Sequence, residues 1–129
     1  MSGYLLDSDV IIWFLRGRQD VIGVVRTLER EGPMSCSVIS IMEIEVGIRE
    51  TERARTYGLL DSLIDYPISK EIARRAGSYM RDFRSRGVTL NFADSLIAAA
   101  ATVEDLTLVT LNARHYPMRD VALYEWPSA

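Results

Sequence analysis

The sequence predicts an α/β domain built around a mostly parallel sheet, on three observations. Short apolar runs of strand length alternate with longer stretches of helical spacing, and no repeat or linker interrupts them. Composition is that of a folded chain: 48% hydrophobic and 26% charged residues, with only four prolines and eight glycines, exclude disordered, collagen-like and low-complexity readings. The length of 129 residues suits a single domain, 1–129. A chain of that size buries roughly 65–70% of its unfolded surface, enough for one core.

The elements follow in order. Tyr4-Leu5-Leu6 is a short apolar strand cut off by Asp7, and Val10 to Leu15 is a helix ending at Arg16-Gly17. Val21, Val24, Val25 and Leu28 have helical spacing within a stretch from Val21 to Glu31 that stops at Gly32-Pro33. Met34 to Ile39 is small and β-branched enough for a buried strand, after which Ser40 opens a helix from Ile41 to about Glu50. Thr51 to Ile64 continues as a helix despite Gly58. Lys70 to Arg86 is the clearest helix: Ile72, Ala76, Tyr79 and Phe83 form its buried face, and Gly87 is a C-cap. Asn91 starts a helix through Ala101, whose four consecutive alanines permit close packing. Leu106 to Leu111 and Val121 to Tyr124 complete the sheet. Ligands of such sheets lie beyond the carboxyl ends of the strands.

Charge and ligand inventory limit the chemistry. Fifteen basic against eighteen acidic residues give a net charge of −3, which excludes a generally basic nucleic-acid coat but not a local patch. One cysteine, Cys36, cannot form an intrachain disulfide, and with one histidine the chain cannot close a His/Cys zinc site. Catalysis, if present, falls to carboxylates. The start, Met-Ser-Gly-Tyr, lacks the basic and apolar regions of a signal peptide. The longest uncharged stretch, Gly32 to Met42, is far short of the ~20 apolar residues that span a bilayer. A soluble cytoplasmic protein without membrane contact is the expectation.

Three acids recur in one context. Asp7 directly follows a strand, while Glu43 and Asp94 each stand three residues after a capping residue, Ser40 and Asn91. Each has a local explanation: Ser40-Ile-Met-Glu43 reads as a capping box, Asn91-Phe-Ala-Asp94 as a weaker one, and Asp7 as a turn initiator. Together they say more. Asp94 heads the apolar helix Ser-Leu-Ile-Ala-Ala-Ala-Ala, where a charge needs a partner. If the strand bearing Asp7 is central, the three acids converge at one sheet end and either raise one another's pKa or demand a cation. Oxygen ligands without His or Cys select Mg²⁺ or Mn²⁺. The matching chemistry is metal-assisted phosphodiester hydrolysis.

Four segments carry a family resemblance. Leu5-Leu6-Asp7-Ser8-Asp9-Val10, Ser37 to Gly47 around Glu43, Asn91 to Ala99 around Asp94, and Leu108-Val109-Thr110-Leu111-Asn112 resemble the PIN-domain ribonucleases, and among them the VapC toxins of toxin–antitoxin pairs. The resemblance spans residue 4 to about 126. It implies a three-layer α/β/α sandwich, Mg²⁺- or Mn²⁺-dependent RNA cleavage, a homodimer, and inhibition by a VapB-type antitoxin. It assigns Asp7 and Asp94 to the principal ion, Glu43 to a water-mediated or nucleophile-orienting role, and Ser8 and Thr110 to supporting hydroxyls near the phosphate. Many relatives carry a fourth acid where this chain has Asn112, an amide without charge, which weakens the case for a second ion.

The remaining polar residues have simpler readings. Asp9, two after Asp7, is a further ligand or, by preference, the cap of the Val10 helix. Glu45 is solvated, His115 touches substrate or, by preference, is an ordinary loop histidine, and Cys36 is an inert core thiol. Arg74, Arg81 and Arg84, flanked by Arg75 and Arg86, form either an RNA track or a solvated face shared with Glu71 and Asp82. Trp13, Phe14, Tyr57 and Trp126 are core residues or contacts to a second copy or antitoxin. Two rival functions stay open. The Asp7-Ser-Asp9 motif also resembles haloacid-dehalogenase-like phosphatases, although these require a lysine (here only Lys70) and a late acidic pair. A non-catalytic PIN-like scaffold that binds RNA or protein is the other. Asparagine at Asp7 or Asp94 is expected to abolish cleavage and leave stability equal or higher.

Overall fold

The computed structural model describes residues 3–128, so Met1, Ser2 and Ala129 of the expected domain, including the start read for a signal peptide, lie outside the described residues. Strands β1 (Tyr4–Leu6), β2 (Met34–Ser37), β3 (Ile64–Tyr66) and β4 (Thr107–Val109) form one parallel sheet in the order β3-β2-β1-β4. Helices α1 (Ser8–Leu15), α2 (Gln19–Glu29), α3 (Val38–Gly47), α4 (Arg53–Ser62), α5 (Lys70–Arg84) and α6 (Phe92–Val103) cover it.

Side chains alternate across a strand, and here the alternation builds two cores. Leu5 and its register partner Leu108 point into one, filled by Ile72, Ala76 and Tyr79 of α5 and the alanines of α6. Leu6 and its partner Val109 point into the other, with Val10, Val21, Val25, Ile44 and Leu60 from α1 to α4. The result is the expected three-layer α/β/α arrangement. Cys36 is fully buried in the second core, and burial raises its thiol pKa to about 11, so it is inert.

Three expectations are corrected. The second strand ends at Ser37, not Ile39, because Ser37 itself caps α3: its Oγ accepts from the Ile39 amide at 3.1 Å. Ser40 is therefore inside the helix, fully buried, with an Oγ that has no hydrogen-bond partner. The stretch expected to stay helical through Ile64 stops at Ser62, and Ile64–Tyr66 becomes the edge strand β3. Three residues with an exposed Ile64 are too short to show a strand period. The final strand is reduced to one bridge, Leu123 beside Leu108, flanked by hydrogen bonds from Leu108 N to Ala122 O (2.8 Å) and Tyr124 N to Leu108 O (2.9 Å).

Other punctuation stands as read. Gly87 adopts a left-handed φ of 80° just beyond α5, and its amide donates to Arg84 O at 3.0 Å. Gly3 is required by crowding: a Cβ there would lie 2.6 Å from the Pro33 carbonyl oxygen, beside the Tyr4 N to Pro33 O bond that starts the β1–β2 pairing.

Candidate active site

Because β1 pairs with both β2 and β4, Asp7 leaves the sheet at its centre. Only 6% of it is exposed. It caps α1, with Oδ1 accepting from the Ser8 amide at 2.8 Å. Its Oδ2 accepts two hydroxyls, Thr110 Oγ1 and Tyr116 OH, each at 2.8 Å. Thr110 lies one residue beyond β4, where its Oγ1 also accepts from the Asn112 amide at 3.1 Å.

Asp94 reaches the same place from α6. Asn91 caps that helix as expected, its Oδ1 accepting from the Asp94 amide at 3.2 Å. Asp94 Oδ1 lies 3.4 Å from the Tyr116 hydroxyl, and Oδ2 lies 3.6 Å from His115 Nδ1. Tyr116 has one proton, so the 2.8 Å contact to Asp7 is its bond and the contact to Asp94 the weaker one. Glu43 enters from α3, free of the capping role that Ser40 would have given it, and its Oε1 accepts from Ser8 Oγ at 3.1 Å.

These acids feel one another. Burial, then the charge of Asp7, raises the Asp94 pKa, with His115 opposing. Burial likewise raises Glu43, with Asp7 and Asp94 adding and the Ser8 hydroxyl opposing. Both rises come first from burial, with the neighbouring carboxylates adding to it.

Asp9 is a correction. It does not cap α1, which Asp7 does; it is the helix's second residue. Its Oδ2 accepts from Asn112 Nδ2 at 2.7 Å and Leu111 N at 3.2 Å, while Oδ1 is buried with no hydrogen-bond partner. Burial and the Asp7 charge raise its pKa to about 6. A fourth acid thus belongs to this end of the sheet, supplied by α1 rather than after β4, and Asn112 is the amide that holds it. Tyr116, 2% exposed, was missed entirely. Its only sequence signal is an aromatic four residues past Asn112, in the loop that follows Thr110.

Side chains read as ambiguous resolve in part. Glu45 accepts from Tyr57 OH (2.5 Å) and pairs with Arg53, a surface link between α3 and α4. Arg74, Arg81, Arg84 and Arg86 are exposed, and the last three stand at the end of α5 that leads into Asn91 and Asp94. Arg75 instead pairs with Asp120 at 3.2 Å. Trp13 and Tyr57 are partly exposed, Phe14 packs against the second core, and Trp126 Nε1 donates to Thr110 O at 2.7 Å.

A hard cation fits the donor set. Among the described residues no three His, Cys, Asp or Glu side chains are already drawn around one ion position. Mg²⁺ does not require that: it uses one or two carboxylates and keeps water. Asp7 Oδ1, with one hydrogen bond, retains a lone pair, and the orphaned Asp9 Oδ1 is a buried oxygen without a donor.

Comparison with known proteins gives the family and the fold. The family model for the PIN domain matches residues 4–122. Ribonuclease VapC10 of Mycobacterium tuberculosis is 42% identical over 114 residues, covering 88% of this chain and 86% of the relative. The structure of VapBC2 from Rickettsia felis bound to a promoter DNA fragment superposes with a TM-score of 0.86 at 20% identity, covering 96% of this chain and 98% of that one. A toxin–antitoxin complex from Klebsiella pneumoniae gives 0.76 at 27% identity, covering 95% and 99%. The phosphatase alternative loses its footing, since Thr110 and Asn112 occupy the strand end that needs an acidic pair. The chain belongs to the PIN-domain family and, within it, to the VapC-type proteins.

Proposed function

We propose that the chain is a Mg²⁺- or Mn²⁺-dependent endoribonuclease, the toxin of a VapBC-type pair acting in the cytoplasm. The observation that carries this reading is the convergence of Asp7, Glu43 and Asp94 from three elements on the carboxyl end of β1, with the pKa values of Glu43 and Asp94 raised. Asp7 and Asp94 would hold the ion, with Glu43 bound through water or orienting the attacking water. When bound, the cation activates water and neutralises charge on the scissile phosphate. The chain does the rest: Thr110 fixes Asp7, Ser8 fixes Glu43, and Asn112 fixes Asp9. Arg81, Arg84 and Arg86 supply a local positive edge for an RNA backbone on a molecule of net charge −3.

Two partners follow. A VapB-type antitoxin is supported by a pocket of about 130 Å³ lined by Ile12, Leu15, Ile44, Ile48 and Glu43, which offers an apolar seat beside an acid of the site. A homodimer is supported by Met42 and Val46, one turn apart on α3, and Phe92 at the start of α6, 53%, 85% and 75% exposed. Single exposed apolar residues are ordinary, but three on contacting helices make a contact face.

The test is cleavage of a mixed RNA pool with fragment ends mapped. Cleavage is expected with Mg²⁺ or Mn²⁺, and none with EDTA or in Asp94→Asn. Binding of RNA without cleavage in every metal would favour the scaffold reading instead.

A further inference from the structure

We propose that Tyr116 is a positioning residue for cation capture: its hydroxyl fixes the Asp7 carboxylate, so that the acid is oriented before an ion arrives. This rests on the cation-dependent reading above, and adds a residue that neither the acids nor their spacing identified.

The ring and the hydroxyl have separable jobs. The ring is 2% exposed and packs in the core that contains Leu90, Ile97 and Met118. A phenyl group would fill the same space. The hydroxyl is what must find a partner when buried, and it finds a charged one, Asp7 Oδ2 at 2.8 Å, with Asp94 Oδ1 at 3.4 Å on its other side.

The consequence for the acids is specific. Thr110 and Tyr116 together occupy both lone pairs of Asp7 Oδ2. Oδ1 accepts only the Ser8 amide, so the open coordination position is on Oδ1. One carboxylate oxygen is held and the other presented. The same hydroxyl oxygen stands 3.4 Å from Asp94 Oδ1, so the Asp7 that it fixes is held next to the second acid. Without the hydroxyl, Asp7 loses one of two anchors on Oδ2. Partners that orient a metal-binding carboxylate from behind typically matter 10–100-fold in metal affinity.

Tyr116→Phe removes the hydroxyl and keeps the ring. Mn²⁺ binding to the metal-stripped full chain, read by calorimetry and by the electron-spin signal of free Mn²⁺, should weaken about 10–100-fold in the variant. A packing role would instead lower the melting temperature in EDTA and leave Mn²⁺ affinity unchanged. Equal or tighter Mn²⁺ binding by Tyr116→Phe overturns the proposal while leaving the cation site intact. A wild-type chain that binds no Mn²⁺ at millimolar concentration overturns the cation reading itself, and this inference with it. Should the variant fail to fold, Mg²⁺ titration of the wild type is the second measurement. The Tyr116 ring resonances should move with the midpoint of binding, and resonances that stay fixed contradict the role.

Discussion

Asp7 accepts three hydrogen bonds, whereas Asp94 has one long hydroxyl contact and a histidine at 3.6 Å, so an amide at the two positions has different consequences. Asp94→Asn removes a charge whose pKa is raised, and should leave metal-free stability unchanged or higher while abolishing cleavage. Asp7→Asn should also abolish cleavage, but it weakens charge-assisted bonds from Thr110 and Tyr116 and should cost about 1 kcal/mol in denaturant unfolding. The sequence alone suggested equal stability or better for both, because the donors around Asp7 come from 103 and 109 residues away. Asp9 sets a pH dependence. Its pKa rises from 3.8 to about 6, so between those values the folded chain binds more protons than the unfolded one, and stability falls as pH rises through that window. The raised pKa values of Glu43 and Asp94 act in the same direction. Metal-free protein should melt several degrees higher at pH 5 than at pH 7.5, and Asp9→Asn should flatten that slope.

At the scale of elements, the start of α3 was the misread that mattered. Ser40 and Glu43 have capping-box spacing, but Ser37 satisfies the helix end, and a single sequence cannot tell which serine the chain turns at. The shift frees Glu43 for the site and strands the Ser40 hydroxyl. Ser37→Ala should therefore cost about 1 kcal/mol, whereas Ser40→Ala should be neutral or stabilising by up to about 1 kcal/mol, as chemical denaturation will show. The reverse ranking would return the cap to Ser40. The Asn91 cap, the α5 face of Ile72, Ala76 and Tyr79, and Gly87 were legible because each depends on neighbours within a few residues. The edge strand β3 was not, because its pairing with β2 is a contact between distant segments.

For the whole molecule, the sheet order makes the site. Only with β1 between β2 and β4 do Asp7, Thr110 and the following helices share one end. Alternating strand and helix patterns announced a parallel sheet, but not its order: the central place of β1 stood only as a condition, and the structure supplies it. The same frame leaves Met42, Val46 and Phe92 exposed, and glutamate at Met42 and Val46 should convert a dimer to a monomer in light scattering without loss of melting temperature. A variant pair that remains dimeric would place the interface elsewhere.

On the proposed function, Asp7, Glu43 and Asp94 are held together, buried or part-buried, for a hard cation. Thermal melting of wild type and Asp94→Asn, each with EDTA and with Mn²⁺, tests it most directly. Mn²⁺ at a hundred times its Kd should stabilise the wild type by about 2.7 kcal/mol, a rise of several degrees. Asp94→Asn should begin no lower in EDTA and lose most of that rise. A wild-type Tm indifferent to millimolar Mn²⁺, or an equal rise in the variant, would contradict the claim.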